Sequence, residues 1–134
     1  MSLLSFKALE ALKNALAGAG GAKTCRIGFE ATISPDDYPI IRLVPSETTA
    51  FCSFVGENTK CVIYFGHPVD ESTTDEDGEN IGLEGVYRTQ LAMRDDILER
   101  LRFSGLPVEY KGTIFDEDRI AGYKLMGLAM NLGF

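Results

Sequence analysis

The chain has 134 residues, 45 % of them hydrophobic and 25 % charged, with a formal net charge of −7. That length supports one domain, residues 1–134, with a single core, and the composition is that of a globular protein. The acidic balance leaves no basic patch for phosphate neutralisation, which argues against classical nucleic-acid binding, and no apolar run approaches the roughly 20 residues that cross a bilayer.

The first predicted element is a helix over Ser2–Ala17. Leu9, Leu12 and Leu16 recur at helical spacing, Leu3 and Phe6 extend the apolar side, and Ser2 is placed to cap. Gly18-Ala19-Gly20-Gly21 stops it, because glycine accepts the left-handed conformation that ends helices. Met1–Phe6 has no basic region and no cleavage site, so a secretory signal is not expected. From Thr24 to Ile33 the period becomes two, with Cys25, Ile27, Phe29, Ala31 and Ile33 on one side, which predicts a half-buried strand.

Asp36-Asp37-Tyr38-Pro39 then feeds the apolar run Ile40-Ile41-Arg42-Leu43-Val44, which Pro45 stops. Tyr38 is held extended by the following proline, and Pro39 has no ladder donor, so a short strand starting at a sheet edge or rim is expected. Thr49–Val55 and Lys60–Phe65 flank Gly56-Glu57-Asn58-Thr59 and predict a hairpin with its turn there. Cys61–Phe65 has no polar face and is expected at the sheet centre, covered on both sides. Cys25, Cys52 and Cys61 are odd in number and unpaired in spacing, which fits buried apolar cysteines of a cytoplasmic fold better than a disulfide or zinc site.

After His67-Pro68, six acids (Asp70, Glu71, Asp75, Glu76, Asp77 and Glu79) fall in one stretch with no base among them. The sequence predicts a long acidic loop here, a composition that suits a segment ordering on assembly. A second helix is predicted over Leu83–Phe103, with Leu83, Tyr87, Leu91, Ile97, Leu98 and Leu101 as its stripe. Glu84–Arg88 and Asp96–Arg100 are favourably oriented i,i+4 pairs on it. Val108–Phe115 and Ala121–Phe134 are the last strands, with the acids Asp116, Glu117 and Asp118 in the turn between them. The last strand is apolar on both faces, which suits either a central strand or a face covered by a neighbouring subunit. The order α-β-β-β-β-α-β-β gives an α+β fold, a mainly antiparallel sheet of about six strands against two helices.

No catalytic set emerges, and no cofactor or metal is expected. His67 is the one histidine and lacks a Ser-His-Asp or Cys-His signature, leaving a small hydrolase as an alternative. With Gly78 in the sixth place of a calcium loop, Asp75, Asp77 and Glu84 take the third, fifth and twelfth. Thr73 then holds the first place, where a carboxylate belongs, so a calcium-regulated adaptor is a weaker alternative. Gly18–Gly21 follows a helix, whereas a phosphate loop lies between a strand and a helix.

In this order of elements the chain resembles the tail terminator (tail completion) proteins of long-tailed bacteriophages. The resemblance rests on the first helix and strand, Asp36-Asp37-Tyr38-Pro39-Ile40-Ile41-Arg42-Leu43, the proline-ended Cys61–Pro68, the second helix, and Val108 to Asp118. It covers essentially the whole chain and implies a structural, non-enzymatic virion protein. The implied assembly is a homohexameric ring at the head-proximal end of the tail tube, contacting the tube protein and a head-completion (stopper) protein of the neck. DNA would pass through the lumen without sequence-specific binding. Asp36, Asp37, Tyr38, Asp70, Glu71, Asp75, Glu76, Asp77, Glu79, Asp116, Glu117 and Asp118 are the candidate subunit or partner contacts. A head–tail connector of the neck is the neighbouring alternative.

Overall fold

The computed structural model describes residues 4–30, 33–51, 56–68, 82–120 and 123–133. The fold is α+β: helix α1 (Leu4–Leu16), strands β1 (Thr24–Ile27), β2 (Ile40–Phe51) and β3 (Gly56–Pro68), helix α2 (Gly82–Phe103), then β4 (Val108–Ile120) and β5 (Tyr123–Gly133). Among the described residues these strands form one sheet in the order β1-β2-β3-β5-β4. The β1–β2 ladder is parallel and the other three are antiparallel.

Both helices pack on one face of the sheet. Ala8, Leu9, Leu12 and Leu16 of α1 and Met93, Ile97 and Leu101 of α2 meet Ile41, Leu43, Cys61, Ile63, Phe65, Met126, Leu128, Met130 and Leu132. Each such aliphatic side chain contributes roughly 1.5–3 kcal/mol on burial, so this layer dominates the stability. Phe6, expected on the apolar side of α1, is instead half exposed. On α2 Ile97 and Leu101 of the predicted stripe are buried, joined by Gln90 and Met93, which are not part of it, while Leu91 and Leu98 are half-buried at the flanks.

The turn that joins α1 to β1 is tied down by α2. Gly18 ends α1 at φ +78°, as its sequence predicts. Arg100 Nη1 donates to the Ala17 carbonyl at 2.7 Å, and Asp96 Oδ2 accepts the Gly20 N–H. Asp96 and Arg100 therefore do not pair with each other as expected: they clasp the C-terminal end of α1, where exposed carbonyls favour a cation. The side chain of Glu84, partner in the other expected pair, lies outside the described part, as do Ser2, Leu3 and Cys52.

Four strand boundaries differ from expectation for physical reasons. β1 stops at Ile27 because Gly28, at φ +95°, turns the chain out of the sheet. Phe29 and Ile33 then pack on the face opposite the helices, with Tyr38, Ile40 and Leu125. The described strand parts of the predicted strands Asp36–Pro45 and Thr49–Val55 join in one strand, β2 (Ile40–Phe51), which is why the sheet has five strands. Pro45 is tolerated because a register shift follows it and β1 has already ended opposite Leu43. Glycine, asparagine and threonine at 56–59 belong to β3, paired with residues 48–51, and residues 52–55 lie outside the described part. Finally, β4 runs through Asp116–Arg119 to Ile120, since the ladder to β5 closes again at Ile120 with Tyr123.

β2 is an interior strand, not an edge. Pro39 stands just ahead of it and uses its carbonyl, accepting Lys23 N–H at 2.8 Å. β3 is the central strand, as predicted, but its two faces are unequal. Cys61, Ile63 and Phe65 are buried under the helices, while Val62 and Tyr64 on the other face are half-buried. The apolar β5 is an interior strand, buried by the chain's own helices and by its neighbours β3 and β4.

On that second face Tyr64 stands opposite Gly127 and meets Phe29 edge-on, with ring centroids 5.5 Å apart. A Cβ on Gly127 would lie 2.8 Å from Val62 Cγ1 and 3.3 Å from the Tyr64 ring. Gly127→Ala is therefore expected to cost about 1–3 kcal/mol through overpacking, read as a lower denaturant midpoint at an unchanged slope. An unchanged midpoint would show that Tyr64 does not lean on this glycine.

Candidate functional site

The topology gathers the candidate contact residues at one end of the sheet. β2 starts there and β3 ends there, with Ile40 opposite Gly66, and β5 begins opposite Pro68. The backbone of Asp116, Glu117 and Asp118 lies at the same end, between the pairs Asp116–Leu125 and Ile120–Tyr123. Asp36 and Asp37 sit in a single 3₁₀ turn, Pro35–Asp37, just before β2. The stretch carrying Asp70, Glu71, Asp75, Glu76, Asp77 and Glu79 departs from Pro68 at this end and itself lies outside the described residues. Three acidic segments that are far apart in sequence thus start from or reach one rim.

The first of these segments is held rigidly. Asp37 N–H donates to the Ser34 carbonyl at 2.9 Å, and Asp36 N–H donates to Ser34 Oγ at 3.3 Å. Asp36 is exposed, while Asp37 lies 3.9 Å from Arg26 Nη1. Tyr38, expected among the contact residues, is buried with 4 % of its surface exposed, and its ring belongs to the core cluster around Ile40 and Leu125. Its part at the rim is that of an anchor beneath the two aspartates.

Below the rim lies a polar network that the sequence did not single out. Arg42, midway along an apolar run of β2, is fully buried. Its Nε and Nη2 donate to Glu30 Oε1 at 2.7 Å and Oε2 at 3.1 Å, a two-pronged pair. Nη1 donates to the Thr24 carbonyl, Thr24 Oγ1 and the Ile41 carbonyl at 3.2, 3.0 and 2.9 Å. Thr24 Oγ1 in turn donates to the Asp37 carbonyl at 2.9 Å. The network connects β1, β2 and the acidic turn, so it fixes where Asp36 and Asp37 are presented. Partial burial pushes the Glu30 carboxyl up, but hydrogen bonds and charge from Arg42, with a smaller pull from Arg26, outweigh it and leave the pKa below the ordinary value. A charge inside an apolar strand is a detectable sequence signal, since it demands a partner. Nothing in the spacing identifies Glu30 as that partner.

The two described cysteines are held as thiols by burial. Burial pushes the Cys61 thiol up to about 12 and also raises that of Cys25, against smaller opposing pulls from Arg42 and Lys13. Neither is an activated thiolate. His67 is placed in β3 opposite Lys124, and its side chain lies outside the described part, as do Asp75 and Asp77 of the calcium-loop pattern. Among the described residues no group of three or more His, Cys, Asp or Glu side chains could hold a metal ion. No described helix is long and apolar enough to cross a membrane.

No protein-family model matches the chain, and no curated protein matches it.

Proposed function

We propose that the chain is a ring-forming assembly protein of the tail terminator kind. In this reading it caps the head-proximal end of a phage tail tube, stops tube growth and offers the surface to which the head joins. The observation that carries this reading is that the acidic turn Asp36-Asp37 and the backbone of Asp116–Asp118 share one end of the sheet, the end from which the chain leaves Pro68 towards its most acidic stretch. Such a rim is suited to contacts between subunits, or to a passage. An acidic lumen repels DNA phosphates and lets a duplex move through without being held. Segments of this composition stay solvated until a partner orders them, which keeps free subunits from docking early. Heterologous contacts close into a ring when the rotation between neighbours allows it.

The test is native mass spectrometry and negative-stain microscopy of the purified chain, alone and mixed with tail tubes. Sixfold rings that bind tube ends are the expected result. A strict monomer that never associates with tubes would overturn the reading, and association with heads alone would move it to a connector of the neck.

A further inference from the structure

We infer that the groove between α2 and β4 receives Phe6 from α1 of a neighbouring copy, so that subunits join side by side through one repeated contact. The inference rests on the ring proposed above and names its subunit interface. The groove is lined by Leu98, Leu101 and Arg102 of α2, Val108 and Tyr110 of β4, and Met130 of β5, and holds about 260 Å³. A cavity of roughly 150 Å³ already takes a benzene ring, so a phenylalanine side chain fits. Tyr110 is 42 % exposed, and its hydroxyl is hydrogen-bonded to Thr113 Oγ1, which holds the ring in place as one wall.

A second copy is the occupant because its Phe6 matches the groove in position and charge. Phe6 is 49 % exposed, open for a large apolar side chain. Ala15 of α1 faces α2, beside Asp96 and Arg100. Phe6 stands nine residues earlier, about two and a half turns, and so points away from α2. α1 lies towards β1, where Cys25 Sγ donates to the Lys13 carbonyl at 3.6 Å, and α2 lies towards β4, where Tyr87 meets Phe115. Knob and groove are therefore on opposite sides of the helical layer, the arrangement that lets a head-to-tail contact close a ring. Phe103 is more open, at 75 %, but it follows Arg102 at the groove's own margin, so a contact through it would pair two copies and stop there. Arg102 is the one charged side chain lining the groove. Among the described residues it has no carboxylate partner and stacks only over Phe103, 5.7 Å from the ring centroid. Glu10, exposed one turn after Phe6, likewise has no cation partner among them. With Phe6 seated, Glu10 comes to the margin of the groove, where Arg102 carries the opposite charge.

The test is sedimentation equilibrium and native mass spectrometry of the full chain, alone at about 0.1 mM and mixed with tail tubes. Phe6→Ser is expected to weaken subunit association about tenfold or more. Glu10→Lys and Arg102→Glu should each weaken it about three- to tenfold, and the two combined should restore it. Far-ultraviolet circular dichroism and thermal melting confirm that the variants are folded. Association unchanged in Phe6→Ser, or a double reversal no better than either single one, would overturn the contact. A wild type that stays monomeric in both settings would overturn the contact and the ring together. Sixfold rings that persist in Phe6→Ser would uphold the ring and sink this interface, whereas Phe6-dependent association into open chains would uphold the interface and sink the ring.

Discussion

Replacing Glu30 with alanine is expected to destabilise the fold by about 1–3 kcal/mol, the cost of leaving buried donors of Arg42 unmet beside a carboxylate that is itself one-third exposed. Arg42 has no exposed surface, and Nε and Nη2 each have a Glu30 oxygen as acceptor. Without Glu30 a guanidinium remains in the core with two donors unmet, so the loss exceeds that of a surface salt bridge. Arg26→Ala is the control: it touches the same carboxylate at 3.3 Å, but its side chain is 53 % exposed. That change should cost no more than about 0.5–1 kcal/mol. Chemical denaturation of both variants decides the matter. A loss below about 1 kcal/mol in Glu30→Ala would mean that the pair behaves as an exposed bridge.

The same pair predicts a pH dependence. The Glu30 carboxyl titrates below its ordinary value of 4.5 in the folded chain. A group depressed in this way contributes its stability fully above the unfolded value, and that contribution is lost as pH falls through the folded one. The wild type should therefore lose stability on acidification below about pH 4.5, and Glu30→Ala should show a shallower fall over that interval. Equal slopes would assign the acid sensitivity to other carboxylates.

The second large effect is expected at Gly20. Its φ is +59°, and a Cβ there would collide with Met93 Cγ and lie 3.3 Å from Met93 Cα. Met93 is buried on the core face of α2 and cannot swing into solvent. Gly20→Ala should cost about 1 kcal/mol for the left-handed backbone and a further 1–3 kcal/mol for the collision. The displacement would also pull the Gly20 N–H from Asp96 and the Ala17 carbonyl from Arg100. Met93→Ala in the same chain removes the colliding atom, so the double variant should lose less than the sum of the single losses. Strict additivity would show that the backbone conformation, and not the close approach of α2, is what the glycine serves.

Much of the fold was legible in short-range pattern. The helical spacing of Leu9, Leu12 and Leu16, the glycines that follow them and the unbroken apolar run Cys61–Phe65 each act through neighbours a few residues away. That locates α1, its end and the central strand. The misread boundaries share one cause. Pro45, Gly56 and the acids at 116–118 are turn residues by propensity, yet here they lie within strands. Pairing along a ladder outweighs local preference when each strand has a long partner, as β2 has in β3 and β4 in β5. The partnership of Asp96 and Arg100 was misread in the same way: the spacing allows them to meet, but the end of α1 offers both a better partner.

The candidate site divides along the same line. The acidic residues could be named from composition, because charge needs no partner to be recognised. That Asp36, Asp37 and the backbone of 116–118 share one rim, that Tyr38 lies beneath it and not upon it, and that Arg42 and Glu30 hold the acidic turn in place are products of strand order. By itself the sequence determined the helices, the α+β class, the central strand and the identity of the acids, all properties carried by periodicity and side-chain type. The tertiary structure alone decided which edges remain open, which charge is buried and with whom. Those outcomes depend on contacts between residues distant in the chain, and no local pattern encodes them.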